Sequence, residues 1–78
     1  MLDIYHLIKG KEYIVRKAFV DFRNNRFSPG QTLTFSERHF LPYDGGHTLM
    51  FRERNIYLQE DDQAEILDNF GNYLDEKR

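Results

Sequence analysis

Apolar and polar residues alternate with a period of two through most of the chain and with a helical period near its end, which predicts strands first and a helix last. Glu12 to Phe22 is rich in β-branched and aromatic residues and contains neither Gly nor Pro, so it reads as one long strand. Its alternation slips partway. Tyr13, Val15 and Phe19 share a face with Lys17 and Asp21, whereas Ile14, Ala18, Val20 and Phe22 share the other with Arg16, and a bend or bulge near Lys17 accounts for the change. Asn24 and Asn25 tolerate the left-handed backbone of a hairpin tip, and Ser28-Pro29-Gly30 suits a type II turn with glycine at the positive-φ position. From Gln31 to Glu37 the alternation is clean, with Leu33 and Phe35 inward and Thr32, Thr34 and Ser36 outward.

The stretch HFLPYDGGHTLMF, His39 to Phe51, joins two apolar arms through a proline and an Asp-Gly-Gly turn, so it predicts a chain reversal with Phe40 and Leu41 entering and Leu49 and Phe51 leaving. Thr48 to Phe51 forms the next strand, Arg52 to Asn55 turns the chain, and Ile56 to Leu58 returns. At Glu60 the period changes. Ile66, Leu67, Phe70, Tyr73 and Leu74 make an apolar stripe on a helix from about 61 to 75, with Asp62 and Glu65 at capping-box spacing and Glu60, Asp61 and Asp62 at the positive end of its dipole. The N-terminal Leu2, Tyr5, Leu7 and Ile8 fit either a helical turn or an irregular arm.

The elements predict a single α+β domain over residues 1–78: a small antiparallel sheet, or an SH3-like partly open barrel, of four to five strands with one C-terminal amphipathic helix. Its expected core is Val15, Phe19, Leu33, Phe35, Phe40, Leu49, Phe51, Leu58, Ile66 and Phe70. A chain of 78 residues has room for one core only, and seven Phe and five Tyr supply much of it. The absence of cysteine excludes disulfide staples and thiolate metal sites. With no basic leader and no apolar run of membrane-spanning length, a cytoplasmic location is expected.

The net charge of −2 hides an asymmetry: Lys9 to Arg54 carries a net +4, and Asn55 to Arg78 a net −5. Helix initiation explains much of the acidic share. Basic and aromatic residues interleave at Arg23, Arg26 and Phe27, and again from Arg38 to Phe40 and from Phe51 to Arg54, as in grooves that take single-stranded nucleic acid.

Between its two strands, HFLPYDGG resembles a family of small bacterial domains of unassigned function that carry FLPYD followed by an acidic residue and glycine. The similarity extends to Gly10-Lys11, Tyr13, Val15, Phe19, Asp21, Gly30, Thr34, Phe35, Leu49, Ile56, Leu58, Gln59 and the Ile66-Leu67-Asp68-Asn69 helix. Gly45 replaces the usual second acidic residue, Glu60 stands where an aromatic often follows Leu-Gln, and the connection from Phe51 to Ile56 is shorter. The resemblance implies a bacterial fold unit and carries over no catalytic residue.

Candidate chemistry is sparse. His6, His39, His47 and Asp44 are the only plausible metal set and lack a ligand spacing, while no serine sits in a nucleophile elbow and a Ser36, His39, Asp44 triad has no motif behind it. No cofactor and no catalysis are expected. Asp44 is expected to accept a backbone N–H of the Gly45-Gly46 turn. Tyr43, after Pro42, either lies against the sheet as core, the preferred reading, or stands out as an aromatic anchor. What remains unexplained is a surface of Arg38, His39, Tyr43, Asp44 and His47 with the basic turn at Arg52 and Arg54; either Pro42 to Gly46 merely closes the sheet of a purely structural domain, or the surface takes a protein or peptide, self-association through an exposed strand edge included, in preference to nucleic acid, in a monomer or homodimer.

Overall fold

The computed structural model describes residues 2–77; Met1 and Arg78, the ends of the expected domain, lie outside them. Strands β1 (Glu12–Val15), β4 (Thr32–Leu41), β5 (Gly46–Phe51), β6 (Asn55–Gln59) and β7 (Leu74–Glu76) form one antiparallel sheet in the order β6-β5-β4-β1-β7, and β2 (Phe19–Val20) pairs with β3 (Arg26–Phe27) as a separate ribbon. The sheet does not close into a barrel. The fold is a small, mostly antiparallel α+β unit, and among the described residues no helix is long and apolar enough to cross a membrane.

The expected strand over 12–22 divides where its alternation slips. Val15 exchanges backbone hydrogen bonds with Gly30 and Gln31, Arg16 N–H donates to the Tyr73 carbonyl, and the chain then leaves the large sheet to start β2. Phe19 is buried from the ribbon into the same core as Tyr13 and Val15. The hairpin tip follows, with Asn24 at φ 64°, and the Ser28-Pro29-Gly30 turn has Gly30 at φ 95° and the Gln31 N–H on the Ser28 carbonyl, as a type II turn requires.

The C-terminal helix is shorter than its apolar stripe predicts. Two brief helices, α1 (Ala64–Asp68) and α2 (Phe70–Tyr73), are separated at Asn69, and Leu74 opens β7. Leaving the helix lets the chain pair with β1, setting Leu74 opposite Val15 and Glu76 opposite Tyr13, so an otherwise open edge is satisfied and Leu74 is fully buried. The expected capping box at Asp62 is absent. Gln63 is the N-cap, and its side-chain carbonyl accepts the Gln59 N–H at 2.8 Å while its own N–H returns to the Gln59 carbonyl.

Eight of the expected core residues are buried; the corrections are Phe40, which is 41% exposed, and Ile66, which packs half-buried at the margin. Ile4, Tyr13, Phe27, Ile56, Tyr73 and Leu74 complete the core. The N-terminal arm is a single 3-10 turn, Ile4–His6, capped by the Asp3 side chain on the Tyr5 N–H, and it buries Ile4 rather than Tyr5 or Ile8. Tyr13 pins this arm from the core, its hydroxyl accepting the Ile8 N–H at 2.9 Å.

Asp21 joins the two sheets. Its buried carboxylate accepts the Arg23, Asn25 and Tyr57 backbone N–H groups and the Asn25 side-chain amide at 2.8 to 3.2 Å. Asp21→Ala strands these donors together, so it is expected to lower stability by about 2 to 3 kcal/mol in urea denaturation, and Asp21→Asn by less because an acceptor oxygen remains.

Candidate functional site

The candidate surface is shaped by a β-bulge. Phe35 lies opposite Phe51, but Glu37 lies opposite Met50, so an extra residue at Ser36 shifts the pairing by one. Before the bulge, Leu33 and Phe35 face the core; after it, Arg38 and Phe40 take the inner face opposite Leu49 and His47, and Glu37, His39 and Leu41 take the outer one. The outer half of β4 then runs past the edge of the core, leaving every residue from Glu37 to Asp44 exposed.

Phe40 and Leu41 are therefore not a buried arm: they are 41% and 57% exposed, and Tyr43 at the turn is fully exposed, which overturns its placement as core. Asp44 does cap the turn, accepting the Gly46 N–H at 3.0 Å, and Gly45 adopts φ 69° with its N–H on the Leu41 carbonyl. The Arg38 guanidinium lies 4.8 Å from the centre of the Tyr5 ring, and His39 sits 3.2 Å from Glu37 on the opposite face.

His47 is buried, not presented. Its ring packs 4.6 Å from the ring of Phe40 and edge-on to Tyr5, Nε2 lies 3.2 Å from Glu60 Oε1, and Nδ1 has no hydrogen-bond partner among the described residues. Arg52 and Arg54 are not beside the corner turn. They follow Phe51, at the far end of a six-residue strand that spans roughly 20 Å. Arg54 is committed to the fold there, donating to the Arg26 carbonyl at 2.8 Å and lying over the Phe27 ring at 4.2 Å. A strand separates residues that are near neighbours in sequence. The structure thus brings Arg38, Tyr43, Asp44 and His47 to one hairpin, puts His39 on its other face, and places Arg52 and Arg54 elsewhere.

The titratable groups serve local structure. His6, His39 and His47 turn to three different carboxylates, on Asp3, Glu37 and Glu60. Asp3 is held below its ordinary pKa: partial desolvation opposes the shift, and hydrogen bonds from His6 and the Tyr5 N–H outweigh it. Tyr73 is raised by its hydrogen bond to Glu65, with desolvation and the Glu65 charge adding to it. Glu53 was not expected to matter. Its carboxylate accepts both the backbone N–H and the hydroxyl of Thr34, at 2.7 and 2.9 Å, which explains how an outward-reading threonine comes to be buried. The polar, non-alternating run Ser36-Glu37-Arg38-His39 is the signal from which the bulge could have been read.

No family model and no curated protein matches the chain. Among solved structures, an integron cassette protein from the mobile metagenome of Vibrio cholerae is similar to it, with a TM-score of 0.85 and 28% identity over 91% of this chain and 88% of that one.

Desolvation acts to raise the Glu53 pKa, but the Thr34 donors and Arg52 bring it below 4.5. A carboxylate depressed on folding adds stability above its unfolded pKa and loses it as pH falls through the folded value. Urea midpoints measured from pH 6 downward are therefore expected to fall below about pH 4.5, and more shallowly in Glu53→Gln than in the wild type.

Proposed function

We propose that this protein is a small, non-catalytic cytoplasmic module that binds a protein or peptide through the distal part of the β4-β5 hairpin. It fits a bacterial domain of the kind its FLPYDGG motif resembles. The observation that carries this reading is the exposure of Phe40, Leu41 and Tyr43 together on one projecting hairpin, in a chain with a well-filled core. Phe40 and Leu41 stand on opposite faces of the hairpin with Tyr43 at its turn, so a partner can engage the turn from either side, and aromatic residues are favoured as anchors. Pro42 and the Asp44 cap hold the turn in one shape, which reduces the ordering entropy that binding must overcome.

The alternative, a surface for single-stranded nucleic acid, is less well supported. Base stacking needs free aromatic faces, and the guanidinium groups of Arg23, Arg38 and Arg54 already lie over Tyr57, Tyr5 and Phe27.

The test is affinity capture from the native cell with identification by mass spectrometry, repeated across a salt series with the Leu41→Ser, Tyr43→Ala double variant. The wild type is expected to retain a protein partner at high salt, whereas phosphate contacts would weaken steeply. The double variant is expected to keep wild-type stability to within about 0.5 kcal/mol, since both sites are exposed, and to lose about 2 kcal/mol of binding, near thirtyfold. Retention of the same partner at full affinity by the folded variant would refute the assignment.

A further inference from the structure

The backbone hydrogen bonds of the large sheet show which strand edges are used. On β6, the Tyr57 N–H donates to Asp21 and its carbonyl accepts the Phe22 N–H, while the Gln59 N–H and carbonyl are taken by Gln63. At the other side β7 covers β1 and is itself the end strand, three residues long, with its outward Leu74 and Glu76 N–H groups taken by the Phe70 carbonyl and the Asp75 carboxylate. The outer half of β4 is different. Phe35 bonds to Lys11 and Gly10 on the β1 side, and β1 pairs no further along β4 than Thr34.

The direction of each backbone group beyond that point follows from the antiparallel alternation. Tyr57 points away from β5, so Thr48, opposite it, bonds toward β4 and pairs with His39. The Glu60 N–H on the Gly45 carbonyl gives the same parity independently. Glu37, His39 and Leu41 thus direct their N–H and carbonyl groups at β5, and Arg38 and Phe40 direct theirs outward. No other strand pairs with them among the described residues. A groove of about 410 Å³ reaches the start of this edge, bounded by Phe35 and Arg38 from the inner face, Glu37 and His39 from the outer face, and Tyr5 and Leu7 of the arm. A groove lined by both faces of one strand lies along that strand's edge.

We propose that this edge pairs with the same edge of a second copy of the chain, antiparallel about a two-fold axis at His39, which makes one continuous sheet across a homodimer. The inference rests on the module reading above and names its partner. The bulge at Ser36 and the missing N–H of Pro42 limit the free edge to Arg38 through Phe40, which selects one register. In that register Arg38 faces Phe40 of the other copy, twice, and the two pairs exchange four backbone hydrogen bonds. The side chains match as well. Each Arg38 aliphatic stem flanks the other copy's exposed Phe40 ring while its guanidinium stays over Tyr5, and each His39 has the other copy's Glu37 on its diagonal, adding a second carboxylate to its own. Exposed apolar surface on Phe40 is covered in both copies at once, which a two-fold arrangement does by symmetry.

Single-cysteine variants test the axis without interference, because the chain has no cysteine of its own. Residues facing across a non-hydrogen-bonded antiparallel pair have Cα atoms about 4.5 Å apart, within disulfide range. His39→Cys is expected to oxidise to a covalent dimer, and Thr48→Cys, one strand further in, is not. In the wild type, light scattering and sedimentation from micromolar to near-millimolar concentration are expected to show a monomer-dimer equilibrium. Amide exchange at Arg38 and Phe40 should slow as the dimer forms. Phe40→Lys sets Lys against Arg38 of the other copy, and Phe40→Pro removes an edge N–H while sparing the β5 ladder; each is expected to weaken the dimer at least tenfold, and Phe40→Lys, which leaves the backbone unchanged, to keep the fold. A wild type that is monomeric throughout, with no preferential His39→Cys crosslink, overturns the dimer. So does a dimer that survives both Phe40 substitutions. A monomer that still captures a partner protein through Leu41 and Tyr43 also overturns it while leaving the module reading in place.

Discussion

Asp21 is a buried carboxylate with several donors on it and no salt-bridge cation among the described residues, an arrangement tolerable because those N–H groups replace water. Two of the backbone donors shape the β2-β3 turn and the third belongs to Tyr57 on β6, so one side chain fixes the ribbon's conformation and ties it to the sheet. The neighbouring Phe22 N–H on the Tyr57 carbonyl completes the seam. Across it, Arg23 lies 4.0 Å over the Tyr57 ring, and Phe19 stacks on Phe27 beneath. The ribbon closes the body over the core without joining the sheet as a strand.

This seam also covers one edge of the large sheet. An unpaired strand edge is a template for association, and the large sheet covers its end strands by local means: Asp21, Phe22 and Gln63 along β6, and on β7 the Phe70 carbonyl and the Asp75 carboxylate, which take the Leu74 and Glu76 N–H groups. The bulge at Ser36 then turns β4 outward past the core, which exposes Phe40 and Leu41 and frees the edge between them. Apolar side chains and open backbone groups coincide there, which is the observation the proposed contact rests on.

Much of the fold was legible because its signals are local. Asn24-Asn25, Ser28-Pro29-Gly30 and Asp44-Gly45-Gly46 have few conformations open to them, and each forms the turn its residues predict. The clean alternation at Leu33 and Phe35 and at Leu49 and Phe51 names the buried face, since one residue of slip would expose it. The slip near Lys17 likewise marks the real break between β1 and β2.

The sequence by itself determined the turns, the strand faces near the core, the predominance of antiparallel pairing and the absence of a recognisable catalytic motif, all of which depend on residues within a few positions of one another. Only the tertiary structure decided where the helix ends, because Leu74 and Glu76 leave a helical pattern to satisfy β1, sixty residues earlier. It also decided that Thr34 is covered by Glu53, that His47 is enclosed by Phe40, Tyr5 and Glu60, and that Arg52 and Arg54 lie a strand's length from Tyr43. Periodicity states which face a residue takes but not how far the core extends beneath it. That extent is set by packing between distant segments, and it is what makes Phe40 a surface residue and Phe35 a core one.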